Sequence, residues 1–193
     1  MAILETPRLI LRPLRLEDAP AIQEHFPHWE IVQHLSTKIP WPYPSNGAEE
    51  FVKCTLENVA TTGNRFWAIT EKGDDALIGA ISYLEGDGIP GSNRGFWLGL
   101  PWQGKGYMTE AATAFNDFVF DVLGCERLLF INSVLNPSSA RIKEKTGARL
   151  LGIVQFEHLN GHPDSQQWEL KAEDWKAWKE RSSSDSERPI HSS

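Results

Sequence analysis

The chain has 193 residues, 40% hydrophobic and 23% charged, enough for one domain that buries about 70% of the surface its unfolded form exposes. Its 19 basic and 26 acidic residues give a formal charge of −7, which argues against a general nucleic-acid or anionic-membrane surface but leaves room for a local basic pocket. Cys54 and Cys125 have no CxxC spacing and no clustered histidines, so neither a zinc site nor a disulfide framework is indicated, and both read as buried, reduced thiols.

The first residues, MAILETPRLI, lack the basic start and cleavage pattern of a secretory signal. No apolar run approaches the ~18 residues of a membrane span, so a soluble cytoplasmic protein is expected. Arg8 to Leu14 alternates apolar and basic residues and reads as a strand, with helical spacing after Leu16. From Phe26 to Asn46 the prolines Pro27, Pro40, Pro42 and Pro44 stand among Trp29, Trp41 and Tyr43, which predicts short helical turns and a loop. Asn46 or Ser45 can cap a helix with Phe51, Val52, Leu56 and Val59 on one face, ended by Gly63.

RFWAIT and ALIGAISYL follow as a hairpin around EKGDD, then the turn GDGIPGSN and a third strand-like run, NRGFWLGL. TEAATAFNDFVFDVL has helical apolar spacing at Ala111, Ala114, Phe115, Phe118, Val119 and Val122, closed by Gly124. RLLFINSVL reads as a buried strand, PSSARIKEKTG as a short helix with proline in its first turn, ARLLGIVQFEHL as a strand and QQWELKA as one more. A single domain over residues 1–181 with a disordered tail, 182–193, is expected. Three consecutive central strands make the fold mixed α/β and not doubly wound.

The stretch PWQGKGYMTEA, from Pro101 to Ala111, places a glycine-containing turn between a strand and a helix. That arrangement makes an anion site, because backbone N–H groups point outward unpaired and the helix dipole adds positive potential. The turn is not a Walker loop, since the lysine lies between the glycines and Gly106 follows it. It is not a dinucleotide fingerprint either, since Gly104, Gly106 and Thr109 break GxGxxG.

The run Gln103-Gly104-Lys105-Gly106-Tyr107-Met108 resembles the [QR]xxGx[GA] motif with which GCN5-related N-acetyltransferases (GNAT) hold the pyrophosphate of acetyl-CoA; Met108 departs from it at the last position. NPSSARIKEKTGARLLG is similar to the NxxSxxxxEKxGFxxxG segment of the RimJ/RimL branch, matching at Asn136, Ser139, Glu144, Lys145, Gly147 and Gly152, with Ala148 in place of the aromatic. TPRLILRPLRLEDA and FWLGLPWQGKGYMTEA resemble the branch's first strand and helix and its fourth strand and third helix. The likeness runs from Leu4 to Trp175.

This resemblance implies a GNAT-like fold: a mostly antiparallel central sheet, splayed at its fourth and fifth strands and flanked by helices. It implies acetyl-CoA as co-substrate, no metal, and as acceptor a protein N-terminal amine or a small amine, in a monomer or homodimer. Backbone groups of Leu98 and Leu100 would pair with the pantetheine amides, Gly99 would permit close approach, and Asn136 would bind CoA or the adjacent backbone. The catalytic residues implied are Glu157, in the EHLNG run, as general base and Ser139 as proton donor to the thiolate. Glu85 and water compete with Glu157 as base, and His158 alternates to the other face. Relatives' tyrosine falls at Lys143, so that role is vacant, which keeps open a non-catalytic acyl-CoA-binding domain. Glu110 sits in a first helical turn, where an acid complements the dipole.

Overall fold

The computed structural model describes residues 1–85 and 91–186. Residues 187–193, most of the expected tail, and residues 86–90 of the turn GDGIPGSN lie outside the described residues.

The N-terminal alternation forms β2 (Leu9–Pro13), which turns back on β1 (Leu4–Glu5), a two-residue strand too short to leave a periodic signal. A 3₁₀ turn, Leu16–Asp18, leads into α1 (Ala19–His25), and the proline-rich stretch holds only α2 (Trp29–Val32). Helix α3 (Gly47–Thr62) ends at Gly63, whose φ of 69° is left-handed. Its buried face is Ala48, Val52 and Thr55, while Phe51 and Leu56 are exposed. The face therefore runs i, i+4, i+7 through small residues; Phe51 instead lays its ring against Phe66, centroids 5.8 Å apart. Cys54 is correspondingly exposed and Cys125 half-buried, and both thiols are free, so the expected burial fails at Cys54.

Strands β3 (Arg65–Glu71), β4 (Leu77–Tyr83) and β5 (Arg94–Leu98) complete a sheet of order β1-β2-β3-β4-β5, every ladder antiparallel. Alternation sends Trp67 and Ile69 to one face and Phe66 and Ala68 to the other. The first face packs on α4 (Tyr107–Asp117), with Phe115 and Val119 in its core; the second packs on α1 and α3 through Ile22, Phe26, Val52 and Trp97. Helix α4 continues as a π-helical turn, Phe118–Val122. The wider turn rotates the helix face, burying Phe120 and leaving Val122 67% exposed, which 3.6-residue spacing does not foresee.

β6 (Arg127–Ser133), α5 (Pro137–Lys145), β7 (Arg149–Gln155), β8 (Asp164–Lys171) and α6 (Ala172–Ser186) follow, with a second antiparallel sheet of order β6-β8-β7. The two sheets meet where Asn93 donates its N–H to Leu129 C=O at 3.0 Å and accepts the Leu129 N–H on Oδ1 at 2.8 Å. Beyond Asn93, β5 and β6 belong to different sheets and part. These are the fourth and fifth strands of the sequence reading, so the splayed, mostly antiparallel mixed α/β fold is observed. No described helix is long and apolar enough to cross a membrane.

Candidate active site

The gap between β5 and β6 opens into a cavity of about 500 Å³. Its floor is the free edge of β5. Gly99 N–H donates to Ile78 C=O and Leu84 N–H to Asn93 C=O. Antiparallel alternation then turns the backbone groups of Phe96 and Leu98 away from β4 and into the gap. The carbonyl of Leu98 accepts from Gln103 Nε2 at 2.8 Å, and that of Leu100 closes a 3₁₀ turn to Gln103 N–H at 3.2 Å. The edge offered to a ligand is thus Phe96 and Leu98, and Leu100 does not line the cavity. Gly99 has an ordinary φ of −58°, but a Cβ there would stand 2.9 Å from the ring of Trp102, so its absence lets the turn fold tightly back.

At one end of the cavity, Gly104 (φ 76°) and Gly106 (φ 81°) flank Lys105 in left-handed conformations that side chains disfavour. The first backbone bond of α4 runs from Glu110 N–H to Gly106 C=O at 3.0 Å. The N–H groups of Tyr107, Met108 and Thr109 precede it and have no partner within the helix. A concave turn followed by a helix N-terminus is a nest for anionic oxygen. A Cβ placed on Gly104 meets nothing within 4 Å, so the space over the turn is open. The residues present suit a pyrophosphate.

Side chains brace this cradle from behind. Glu71 accepts Tyr107 OH at 2.5 Å and Trp102 Nε1 at 2.9 Å, and these bonds hold its carboxyl below the usual range. Glu110 accepts Thr6 Oγ1 at 2.6 Å, Arg8 N–H at 2.8 Å and Arg8 Nε at 2.6 Å. Arg8 in turn donates to the Lys105 carbonyl at 3.0 Å and lies over the Tyr107 ring. Burial pushes the Glu110 carboxyl up, and the bonds from Thr6 and Arg8 bring it below its ordinary value. Glu110 therefore ties the N-terminal hairpin to the loop, a structural part as its position in the first turn predicts. The Lys105 side chain is exposed and does not line the cavity.

The opposite wall is α5. Asn136 caps it by accepting Ser139 N–H on Oδ1 at 3.0 Å, and both residues line the cavity. Ser139 is 8% exposed, and its hydroxyl accepts Lys143 Nζ at 2.7 Å. Lys143 is 2% exposed and also lines the cavity. Burial, and then the nearby Arg94 guanidinium, push its amine well below the ordinary lysine range. The position read as vacant thus holds a buried amine bonded to the serine expected to donate a proton. Sequence alone gives no sign of this, because the burial comes from residues of β5 and α4 distant in the chain.

At the far end, α2 and the β7–β8 connection close the cavity with Ile31, His34, Phe156 and His158. Glu157 is exposed and absent from the lining, and Glu85 is likewise exposed and outside it. Strand alternation fails at Glu157 because β7 stops at Gln155, and Phe156–His158 follows an irregular path pinned by a bridge from His158 to Ser36. The structure therefore brings Ser139, Asn136, Leu98, Gln103, Gly104, Gly106, Tyr107 and Met108 to one cavity, and not Glu157. His158 takes the inward place: it is 3% exposed, its Nε2 stands 2.7 Å from Ser165 Oγ, and its buried Nδ1 makes no hydrogen bond of good geometry, with the backbone of His34 and Leu35 close enough to act on the ring. Burial holds its imidazole below the ordinary value of 6.5, hence neutral near pH 7. Among the described residues no cluster of three or more metal-ligating side chains occurs.

This geometry has counterparts. A family model described as an acetyltransferase (GNAT) domain matches residues 8–149. A Bacillus subtilis (strain 168) protein, the uncharacterized N-acetyltransferase YnaD, is 25% identical over 150 residues, covering 78% of this chain and 84% of its own. RimL, a ribosomal L7/L12 alpha-N-protein acetyltransferase solved with CoA, superposes with a TM-score of 0.74 at 18% identity, over 88% of this chain and 98% of its own. Spermidine N-acetyltransferase of Vibrio cholerae, solved with CoA and spermine, gives 0.72 at 19% identity, over 87% and 98%. At such identities the two structures speak for the fold alone. The family match, which spans well over half the chain and contains the cradle, β5 and α5, shows that this protein belongs to the GNAT acetyltransferase family and is an acetyl-CoA-dependent N-acetyltransferase.

Proposed function

We propose that the chain moves acetyl from acetyl-CoA to an acceptor whose only cationic group is the reacting amine itself, such as the α-amine of a peptide or a monoamine. The observation that carries this is the charge of the cavity wall. Glu30 is the one carboxylate among its described lining residues, against Arg94, Arg141, Lys143 and Lys145. A polyamine carries several charges that need carboxylates to receive them, and RimL and the spermidine enzyme stand for the two alternatives.

In this reading the pyrophosphate rests on Gly104, Gly106 and the N–H groups opening α4, with Gln103 holding the turn to Leu98. The pantetheine amides pair with the backbone edge of Phe96 and Leu98, and the thioester carbonyl points at these donors, which favour the tetrahedral oxyanion. The acceptor enters past α2, between Glu30, His34 and His158. His158, the imidazole that lines this end of the cavity and is held neutral by burial, takes the proton of the attacking amine, directly or through a water. Ser139 faces the departing sulfur. Asn136 holds the first turn of α5, and so the place of Ser139.

The test is CoA release with acetyl-CoA and a panel of Ser- and Ala-initiated peptides, monoamines and spermidine. Peptides or monoamines raising turnover above hydrolysis, with spermidine inactive, is the expected result. Spermidine as the best acceptor would overturn the acceptor assignment, and CoA binding with no acceptor at all would favour a non-catalytic acyl-CoA-binding domain.

A further inference from the structure

We infer that Lys143 supplies, through the hydroxyl of Ser139, the proton taken up by the departing CoA thiolate. The inference rests on the acetyl-transfer reading above and adds to it the source of the last proton.

Lys143 is among the largest fully buried side chains. Among the described residues no carboxylate stands within 4 Å of its Nζ. Its polar contacts are the Ser139 hydroxyl at 2.7 Å and the Ser139 carbonyl at 3.3 Å. The charged group acting on it from β5 is Arg94, 5% exposed, which donates Nη1 to Asn116 of α4 at 3.1 Å and has Nε and Nη2 unpartnered. Arg94 lies over the ring of Phe130, and Lys143 faces that of Phe96. A lysine and an arginine therefore share a dry corner without an anion, where methionine or leucine would pack at lower cost. A structural role explains neither the amine nor its bond to a serine that lines the cavity.

The arrangement suits a relay. A lysine ammonium next to a guanidinium in a dry site gives up its proton more readily than an ordinary lysine, which moves its acidity toward that of a thiol. With Lys143 donating to Ser139 Oγ, the serine's own proton must point elsewhere, and Ser139 faces the cavity. As the C–S bond of the tetrahedral intermediate breaks, the electron pair stays on sulfur and the Ser139 proton bonds to it. A proton from the Lys143 ammonium replaces it on Ser139 Oγ. Lys143 is left as a neutral amine and is recharged by the proton that the acceptor lost, returned through solvent. Ser139 touches the reacting sulfur, and Lys143 acts through it.

The test compares wild type, Lys143→Met, Lys143→Arg and Ser139→Ala in kcat against pH and in the titration of bound CoA. Wild-type kcat falls as pH rises through an alkaline limb lying below the ordinary lysine range. Lys143→Met loses that limb and about 100-fold in kcat, with KM for acetyl-CoA within about twofold. Lys143→Arg keeps the charge, holds its proton and is equally slow. Ser139→Ala with Lys143→Met is no slower than Ser139→Ala alone, as expected of one unit. The second readout needs no acceptor: the thiolate absorbance of bound CoA, blanked with desulfo-CoA, titrates roughly one pH unit lower in wild type than in Lys143→Met. An unchanged limb and kcat in Lys143→Met, or the same thiol titration in both proteins, overturns the inference. Wild type that transfers to no amine sinks the acceptor reading instead, and the thiol titration still decides the role of Lys143.

Discussion

Gly104→Ala alters the cradle without touching any side chain of the cavity. The residue holds φ 76°, and an added Cβ meets no protein atom within 4 Å, so the cost in the free protein is backbone strain alone. A left-handed conformation costs an L-residue about 1–2 kcal/mol, which in a chain of this size lowers Tm by roughly 2–8 °C. The methyl group projects into the open space assigned to the pyrophosphate. Losing one charge-assisted hydrogen bond there removes about 1.5–3 kcal/mol, which weakens CoA binding by roughly 10- to 150-fold. Gly73→Ala is the matched control: its φ is 90°, its Cβ also meets nothing, and it lies in the β3–β4 turn, outside the cavity lining. Calorimetric titration with CoA and thermal unfolding of both variants separate the effects. The two should lose similar Tm, and only Gly104→Ala should lose affinity. Equal CoA affinity in the two variants would refute the cradle.

Further outcomes follow from the same geometry. Arg12 is buried against Asp18 through two bonds, Nη1–Oδ2 at 2.9 Å and Nη2–Oδ1 at 2.7 Å, and its Nε keeps the more exposed Asp75 at 2.6 Å, so Asp18→Ala removes its buried carboxylate and leaves the outer one. The substitution should cost about 1.5–3 kcal/mol, read by denaturant unfolding. His158→Gln should lower kcat by about 100-fold or more while Glu157→Gln stays within about twofold, and the reverse order in steady-state kinetics would reinstate Glu157. Because burial lowers the His158 pKa, kcat/KM should fall as pH drops through a value below 6.5, measurable in a pH–rate profile. Glu71 and Glu110 have folded pKa values below their unfolded ones. Their stabilisation is present in full above the unfolded carboxylate range near pH 4.5 and is lost as pH falls through the folded values, so unfolding of Glu71→Gln should depend less on pH in that acid window.

What could be read from the sequence divides along a physical line. The cradle was legible because Gly104 and Gly106 are where the backbone needs left-handed φ, and because a strand, a turn and a helix start lie within a few residues. Asn136 was legible for the same reason, a cap being a local device. The hairpin of β3 and β4 is legible as two strand-like runs about the polar turn EKGDD. Properties that depend on distant packing were not legible. The buried face of α3 is set by what α1 presents, so Phe51 and Leu56 turn outward. The π-helical turn at Phe118–Val122 shifts a face that ideal spacing places elsewhere. Glu157 was assigned by segment, but the chain leaves strand geometry after Gln155, and His158 points inward instead. At Lys143 the sequence shows only a lysine where relatives carry a tyrosine, and only the assembled α5, β5 and α4 show it buried on Ser139.

Acceptor-dependent release of CoA decides whether this protein transfers acetyl to an amine. With saturating acetyl-CoA, thiol release by the wild-type protein should rise well above hydrolysis on adding a peptide α-amine or a monoamine. The product should carry one acetyl group on that nitrogen by mass spectrometry. If CoA binds and no amine in the panel raises the rate or gains an acetyl group, the assignment of acetyl transfer to such an amine is contradicted.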